Sequence, residues 1–135
     1  MKLSISLPDN VTKELEIRSS GNISGTIAQQ IERYTMSLFQ ARLKLRDVLT
    51  EAEMGLILDV LNGIFIVSPA YIIQEIADAV RYDRSDEKWE CDGEALIAKM
   101  AQFTYAENLA IVDAAERFWL EVSAGKNPSH QAMLR

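Results

Sequence analysis

The stretch Thr50-Glu51-Ala52-Glu53-Met54-Gly55-Leu56-Ile57-Leu58-Asp59-Val60-Leu61-Asn62-Gly63 carries its own start, packing face and stop. The Thr50 hydroxyl and the Glu53 carboxylate, three residues apart, each satisfy a backbone N–H that the first turn of a helix leaves unpaired. Leu56, Ile57, Val60 and Leu61 then recur at helical spacing. Asn62-Gly63 supplies a left-handed stop.

Signals of the same kind surround it. Ile64 to Val67 is a short apolar run, either an extended link or a buried turn. Ser68-Pro69 starts a further helix with Ile72, Ile73, Ile76 and Val80 inward. Residues 83–92 are the most polar part of the folded region and read as an exposed loop pinned by Trp89. Asp92 caps a shorter helix over Leu96, Ile97 and Met100. Thr104-Tyr105-Ala106-Glu107 repeats the capping box and opens a helix reaching about Val122, with Leu109, Ile111, Val112, Phe118 and Trp119 in its apolar stripe. Residues 49–122 therefore read as a small four-helix domain, and the Gly, Asn, Pro and Ser content of residues 123–135 as a flexible tail.

Thr50, Ala52, Glu53, Ile57 and Asp59 match Thr104, Ala106, Glu107, Ile111 and Asp113, each pair 54 residues apart. A duplicated helical unit would give this echo. So would the generic needs of two capped amphipathic helices.

The beginning of the chain has a different texture. Lys2-Leu3-Ser4-Ile5-Ser6-Leu7 alternates strictly, as a half-buried strand does, and Pro8 ends it. Asp9 can cap a short helix with Val11 and Leu15 on one side, although Ile17 does not fit that face. A second strand over residues 9–18, with a hairpin turn at Asp9-Asn10, is the open alternative. After Gly21-Asn22, the spacing of Ile23, Ile27, Ile31, Tyr34 and Leu38 predicts a longer helix running on through Leu45.

At 135 residues, with 48% apolar and 25% charged, the chain is long enough and ordinary enough to bury a core. Its net charge of −6 argues against a general nucleic-acid coat. The charge is unevenly spread, however. Residues 1–48 hold seven Lys/Arg against five Asp/Glu, whereas the rest holds seven against fifteen, so nucleic acid is a possible partner for the first part alone. No apolar run reaches the length of a membrane span and Met1-Lys2-Leu3 does not open a signal peptide, so the expectation is a cytoplasmic protein with no membrane partner.

Catalytic and metal chemistry find little to stand on. One cysteine, Cys91, and one histidine, His130, supply neither a disulfide nor a zinc set, and the chain lacks a glycine-rich phosphate loop and the nucleophile and metalloprotease motifs. Glu51/Glu53 and Glu75/Asp78 are carboxylate pairs that read as solvated helix surface. Trp89, Phe118 and Trp119 read as core aromatics, and the acidic neighbours of Cys91 disfavour a thiolate. A non-enzyme without cofactor or metal is the expectation.

Strand, short helix, glycine-containing turn and longer helix resemble the ribbon-helix-helix family of repressors and antitoxins. The resemblance covers residues 2–39 and rests on Lys2-Leu3-Ser4-Ile5-Ser6-Leu7-Pro8 and Gly21-Asn22-Ile23-Ser24. It implies a homodimer whose paired strands enter the major groove of double-stranded DNA, with Lys2, Ser4 and Ser6 toward base edges and the backbone N–H groups of Asn22, Ile23 and Ser24 against a phosphate.

The fold expected is thus mainly α: an N-terminal strand-helix-helix module over residues 1–48, a dimeric ribbon, followed by an acidic helical domain over residues 49–122. Two functions compete for it. One is a DNA-binding transcriptional regulator or antitoxin whose acidic domain contacts a protein partner or effector. The other is a non-enzymatic interaction protein that dimerises through its N-terminal strand and leaves DNA alone.

Overall fold

The computed structural model describes residues 6–19, 22–62, 64 and 68–135, and 79% of them are helical. The chain is mainly α. Seven α-helices follow one another among the described residues: α1 (Asp9–Ser19), α2 (Ile23–Val48), α3 (Glu51–Leu61), α4 (Ile72–Asp83), α5 (Ser85–Lys88), α6 (Gly93–Met100) and α7 (Tyr105–Ser123). Two 3-10 turns, Pro69–Tyr71 and Gln131–Leu134, complete the set. The chain divides into two compact units, Met1–Ser37 and Leu38–Arg135.

The second unit is built around α3. A surface helix buries one stripe, but a helix that is apolar all round belongs inside. In α3, Met54, Leu56, Ile57 and Leu58 are all fully buried, and Leu61 nearly so. The helix packs on α4, α5 and α7, while α4 packs in turn on α6. Ile72, Ile76, Leu96, Met100, Ala110, Ile111 and Ala114 close the core around it, joined by Leu38, Ala41 and Leu45 from α2.

Gly55 explains how α3 can be covered on its remaining side. A Cβ there would lie 2.4 Å from Cζ3 of Trp89, so the indole rests on bare backbone. Its Nε1–H donates to Asp59 Oδ2 at 3.3 Å, one turn further along. A glycine inside a helix costs about 1 kcal/mol relative to alanine. Here it makes room for the ring.

Both capping boxes form as their sequences require. Thr50 and Glu53 exchange hydrogen bonds of 3.1 and 2.9 Å at the head of α3, and Thr104 and Glu107 exchange bonds of 3.2 and 3.0 Å at the head of α7. Asp92 caps α6 through a 3.0 Å bond from the Ala95 N–H. The left-handed stop expected over Asn62-Gly63 falls partly outside the described residues: Asn62 caps α3 with an extended φ of −67° and ψ of 126°, while Gly63 and residues 65–67 are not among them. Arg84, at φ 53°, is a left-handed cap that ends α4.

Residues 123–135, which read as a flexible tail, end inside the core. Met133 is 5% exposed and Leu134 1%. Arg117 donates to the Met133 carbonyl at 3.1 Å, and Arg46 Nε donates to the Leu134 carbonyl at 2.7 Å. His130 lies between Trp89 and Phe118, with 5.2 Å from its ring centroid to each. The apolar pair Met133-Leu134 outweighs the polar stretch ahead of it.

The first unit corrects the ribbon-helix-helix reading. Of the expected strand, Lys2 to Ile5 lie outside the described residues, and Ser6 and Leu7 are not strand. No β-strand occurs among the described residues, while a ribbon-helix-helix fold requires one at its N-terminus. Physically, an alternating run of six residues forms a strand only with a partner ladder, and this chain offers none among its described residues. The alternative of a second strand over residues 9–18 also yields. The Pro8 carbonyl accepts the N–H groups of Val11 and Thr12, both at 3.0 Å, and winds the chain directly into α1.

Candidate functional site

Ser6, expected at base edges, is exposed ahead of α1, and Lys2 and Ser4 lie outside the described residues. Asn22, Ile23 and Ser24 stand together at the start of α2, as the sequence places them. At that helix start Asn22 Oδ1 accepts the Gly25 N–H at 3.1 Å. The Asn22 carbonyl accepts from Thr26.

Within the first unit, no described residue before Leu38 is fully buried. Val11, Ile17, Ile31 and Tyr34 are 39%, 76%, 60% and 51% exposed. Burial of apolar surface is what holds a helix in place, since a lone helix of this length is marginal in water. Its described residues thus include apolar side chains but form no buried core. It is also electrically neutral, with four Lys/Arg against four Asp/Glu over Met1–Ser37, while Leu38–Arg135 carries ten against sixteen.

The second unit offers a groove of about 320 Å³ between α3, α4 and the start of α5. Asp59, Glu75, Asp78 and Asp83 supply its carboxylates, Val60 and Ala79 its apolar lining, and Ser85 a hydroxyl. Two of the acids already have partners. Asp59 accepts from Lys88 Nζ at 3.0 Å and from Trp89, and Asp78 accepts from Gln74 at 2.8 Å. Among the described residues no group of three or more acids, histidines or cysteines could hold a metal ion. The sequence reading took Glu75 and Asp78 as solvated surface and did not connect them with Asp59 or Asp83. Their approach is tertiary, and no local spacing announces it.

Two carboxylates are buried, and both belong to the capping boxes. Glu53 is 6% exposed and Glu107 3%. Each is met by a lysine from the helix that precedes the other box. Lys99, at the end of α6, reaches Glu53 Oε1 at 2.7 Å and also donates to the Val48 carbonyl at 2.7 Å. Lys44, near the end of α2, reaches Glu107 Oε1 at 2.6 Å. The sequence echo at 54 residues thus extends to a reciprocal pairing of charges. Through these bonds both carboxylates hold helix ends together.

Burial alone would push the Glu107 carboxyl up, but hydrogen bonds from Lys44 and the Thr104 N–H, with the lysine charge, hold it below the usual carboxylate range. A depressed folded value means stability that is full above the unfolded value and is lost as pH falls through the folded one. Glu107→Gln is therefore expected to cost about 1 to 2 kcal/mol at pH 7 and clearly less at pH 3.5. Thermal melts of both proteins at the two pH values check it, and an equal deficit at both would exclude the ion pair as the cause.

Cys91 is half-buried, and burial first, then the charges of Glu53, Asp86 and Asp92, raises its thiol above the ordinary value, away from the reactive thiolate. Trp89 and Phe118 pack against the core, whereas Trp119 is 48% exposed. No helix among the described residues is long and apolar enough to cross a membrane. Comparison with family models, curated proteins and solved structures finds no match to this chain, so the reading of its surfaces rests on its own residues.

Proposed function

We propose that this chain is a non-enzymatic interaction protein. Its first unit is an association module, and its acidic second unit is the folded body that presents a carboxylate-lined groove to a cationic group of a protein partner. The observation that carries the reading is the absence of any fully buried side chain among the described residues before Leu38, set beside the exposed Ile31 and Tyr34. Helices without a core gain one by association. The groove supports the second half of the reading through its charge, since Asp59, Glu75, Asp78 and Asp83 suit a lysine or arginine side chain and repel a phosphate.

The competing reading, a DNA-binding regulator, drew its support from the ribbon. Without it, the neutral first unit offers no excess of positive charge for phosphates.

Hydrogen exchange of the full chain tests the proposal. At the lowest workable concentration, amides of residues 9–37 are expected to exchange at least about a hundredfold faster than those of α3, which unfold only with the core. Comparable protection of both at every concentration would show a self-sufficient first unit and sink the proposal. Protection appearing only with duplex DNA at low salt would return the choice to the DNA-binding regulator.

A further inference from the structure

Resting on that reading, we infer that the partner of the first unit is a second copy of this chain, docked through the α2 face formed by Ile27, Ile31 and Tyr34. Three observations select that occupant.

The first is register. Ile27, Ile31 and Tyr34 follow the alternating four- and three-residue spacing that keeps one face of a helix against another helix. Within the second unit the next positions of the same spacing, Leu38, Ala41 and Leu45, are 8%, 6% and 0% exposed. Where this spacing has something to pack on, it is buried. Among the described residues Ile31 and Tyr34 have no such surface against them, at 60% and 51% exposed.

The second is charge along the seam. At helical spacing the residues flanking it are Ala28, Gln30, Thr35 and Ser37, none of them charged, and the two ionised residues of this segment, Glu32 and Arg33, fall toward the far side. Flanking charges choose between partners in paired helices, by attraction to an unlike helix or repulsion of a like one. A seam without them has nothing to repel an identical helix and nothing to select an oppositely charged one.

The third is charge on the whole unit. Two copies of Leu38–Arg135, each at −6, repel one another, while two copies of Met1–Ser37, each at zero, do not. The neutral unit is where copies can meet. Three seam residues per chain cover less than the roughly 800 Å² per partner of a stable interface. Val11, half-buried Leu15 and half-buried Ile23 in the same unit add apolar surface, so the expected dimer is a weak one with a micromolar dissociation constant.

Sedimentation equilibrium of the full chain tests the inference, with Ile31→Asp and Gln29→Asp as variants. Ile31 is exposed in the single chain, so an aspartate there leaves the core of the second unit alone. In a two-fold dimer it enters the seam twice, and burying two unpaired carboxylates should weaken association on the order of a hundredfold. Gln29 lies on the opposite face and carries the same charge change, so Gln29→Asp is expected to dimerise like the unaltered chain. A monomer up to about 100 μM, or a dimer equally strong in Ile31→Asp, overturns the inference. A monomer whose residues 9–37 still exchange rapidly leaves the association module standing and points to a different partner, so the two failures are told apart.

Discussion

Lys99→Met is expected to lower the unfolding free energy by about 2 to 4 kcal/mol, more than a typical surface change by a wide margin. The cost comes from what stays behind. Glu53 is 6% exposed and keeps only the Thr50 N–H, at 2.9 Å, once the 2.7 Å ion pair is gone. The Val48 carbonyl, at the end of α2, loses its donor in the same step. A carboxylate left without its counterion in a poorly solvated site is an uncompensated buried charge, which destabilises the fold. Lys99 itself is 33% exposed, so solvent screens part of the attraction and the estimate sits at the lower end for a buried pair. Adding Glu53→Gln to Lys99→Met should recover part of the loss, since an amide is less costly to strand than a charge. Urea denaturation of the two singles and the double gives the coupling. A Lys99→Met cost below about 0.5 kcal/mol would mean that the pair contributes no more than an exposed surface bridge.

That pairing marks the boundary of what the sequence can disclose. Thr50/Glu53 and Thr104/Glu107 were legible because a capping box closes over four residues, and local chemistry suffices to define it. Their lysines were not, because Lys99 lies 46 residues from Glu53 and Lys44 lies 63 from Glu107. Both glutamates read equally well as exposed first-turn acids. The inward residues of α4, Ile72, Ile76 and Val80, followed from period alone, while the groove beside them required knowing that α3 and α4 are neighbours. Over residues 2–7 the alternation that suggests a strand spans so few residues that it cannot by itself supply the partner a strand needs. The α2 stripe of Ile27, Ile31 and Tyr34 was visible from spacing. Spacing alone does not tell that Ile31 and Tyr34 stay exposed while Leu38, Ala41 and Leu45 on the same helix are buried.

Leu134→Ala is expected to cost about 2 to 4 kcal/mol, the range for emptying a fully enclosed leucine site. From composition the opposite follows, since Gly125, Asn127, Pro128 and Ser129 lead into this segment and substitutions in a frayed tail cost almost nothing. The structure sets three anchors against that expectation. Leu134 and Met133 are buried in the cluster that holds Leu45 and Ile111. Arg46 and Arg117 donate to the carbonyls of Leu134 and Met133, fixing the backbone from α2 and α7. His130 is held between the rings of Trp89 and Phe118. Removing the leucine side chain leaves a cavity that the turn Gln131–Leu134, tied by those carbonyls, cannot collapse to fill. For a unit of this size the loss corresponds to a fall in melting temperature of roughly 10 °C or more. Gln131→Ala, on an exposed residue of the same turn, serves as the control and should stay within about 0.5 kcal/mol of the unaltered chain. Equal melting of Leu134→Ala and Gln131→Ala would return residues 123–135 to the status of a tail and would leave the core of the second unit to α2 through α7 alone.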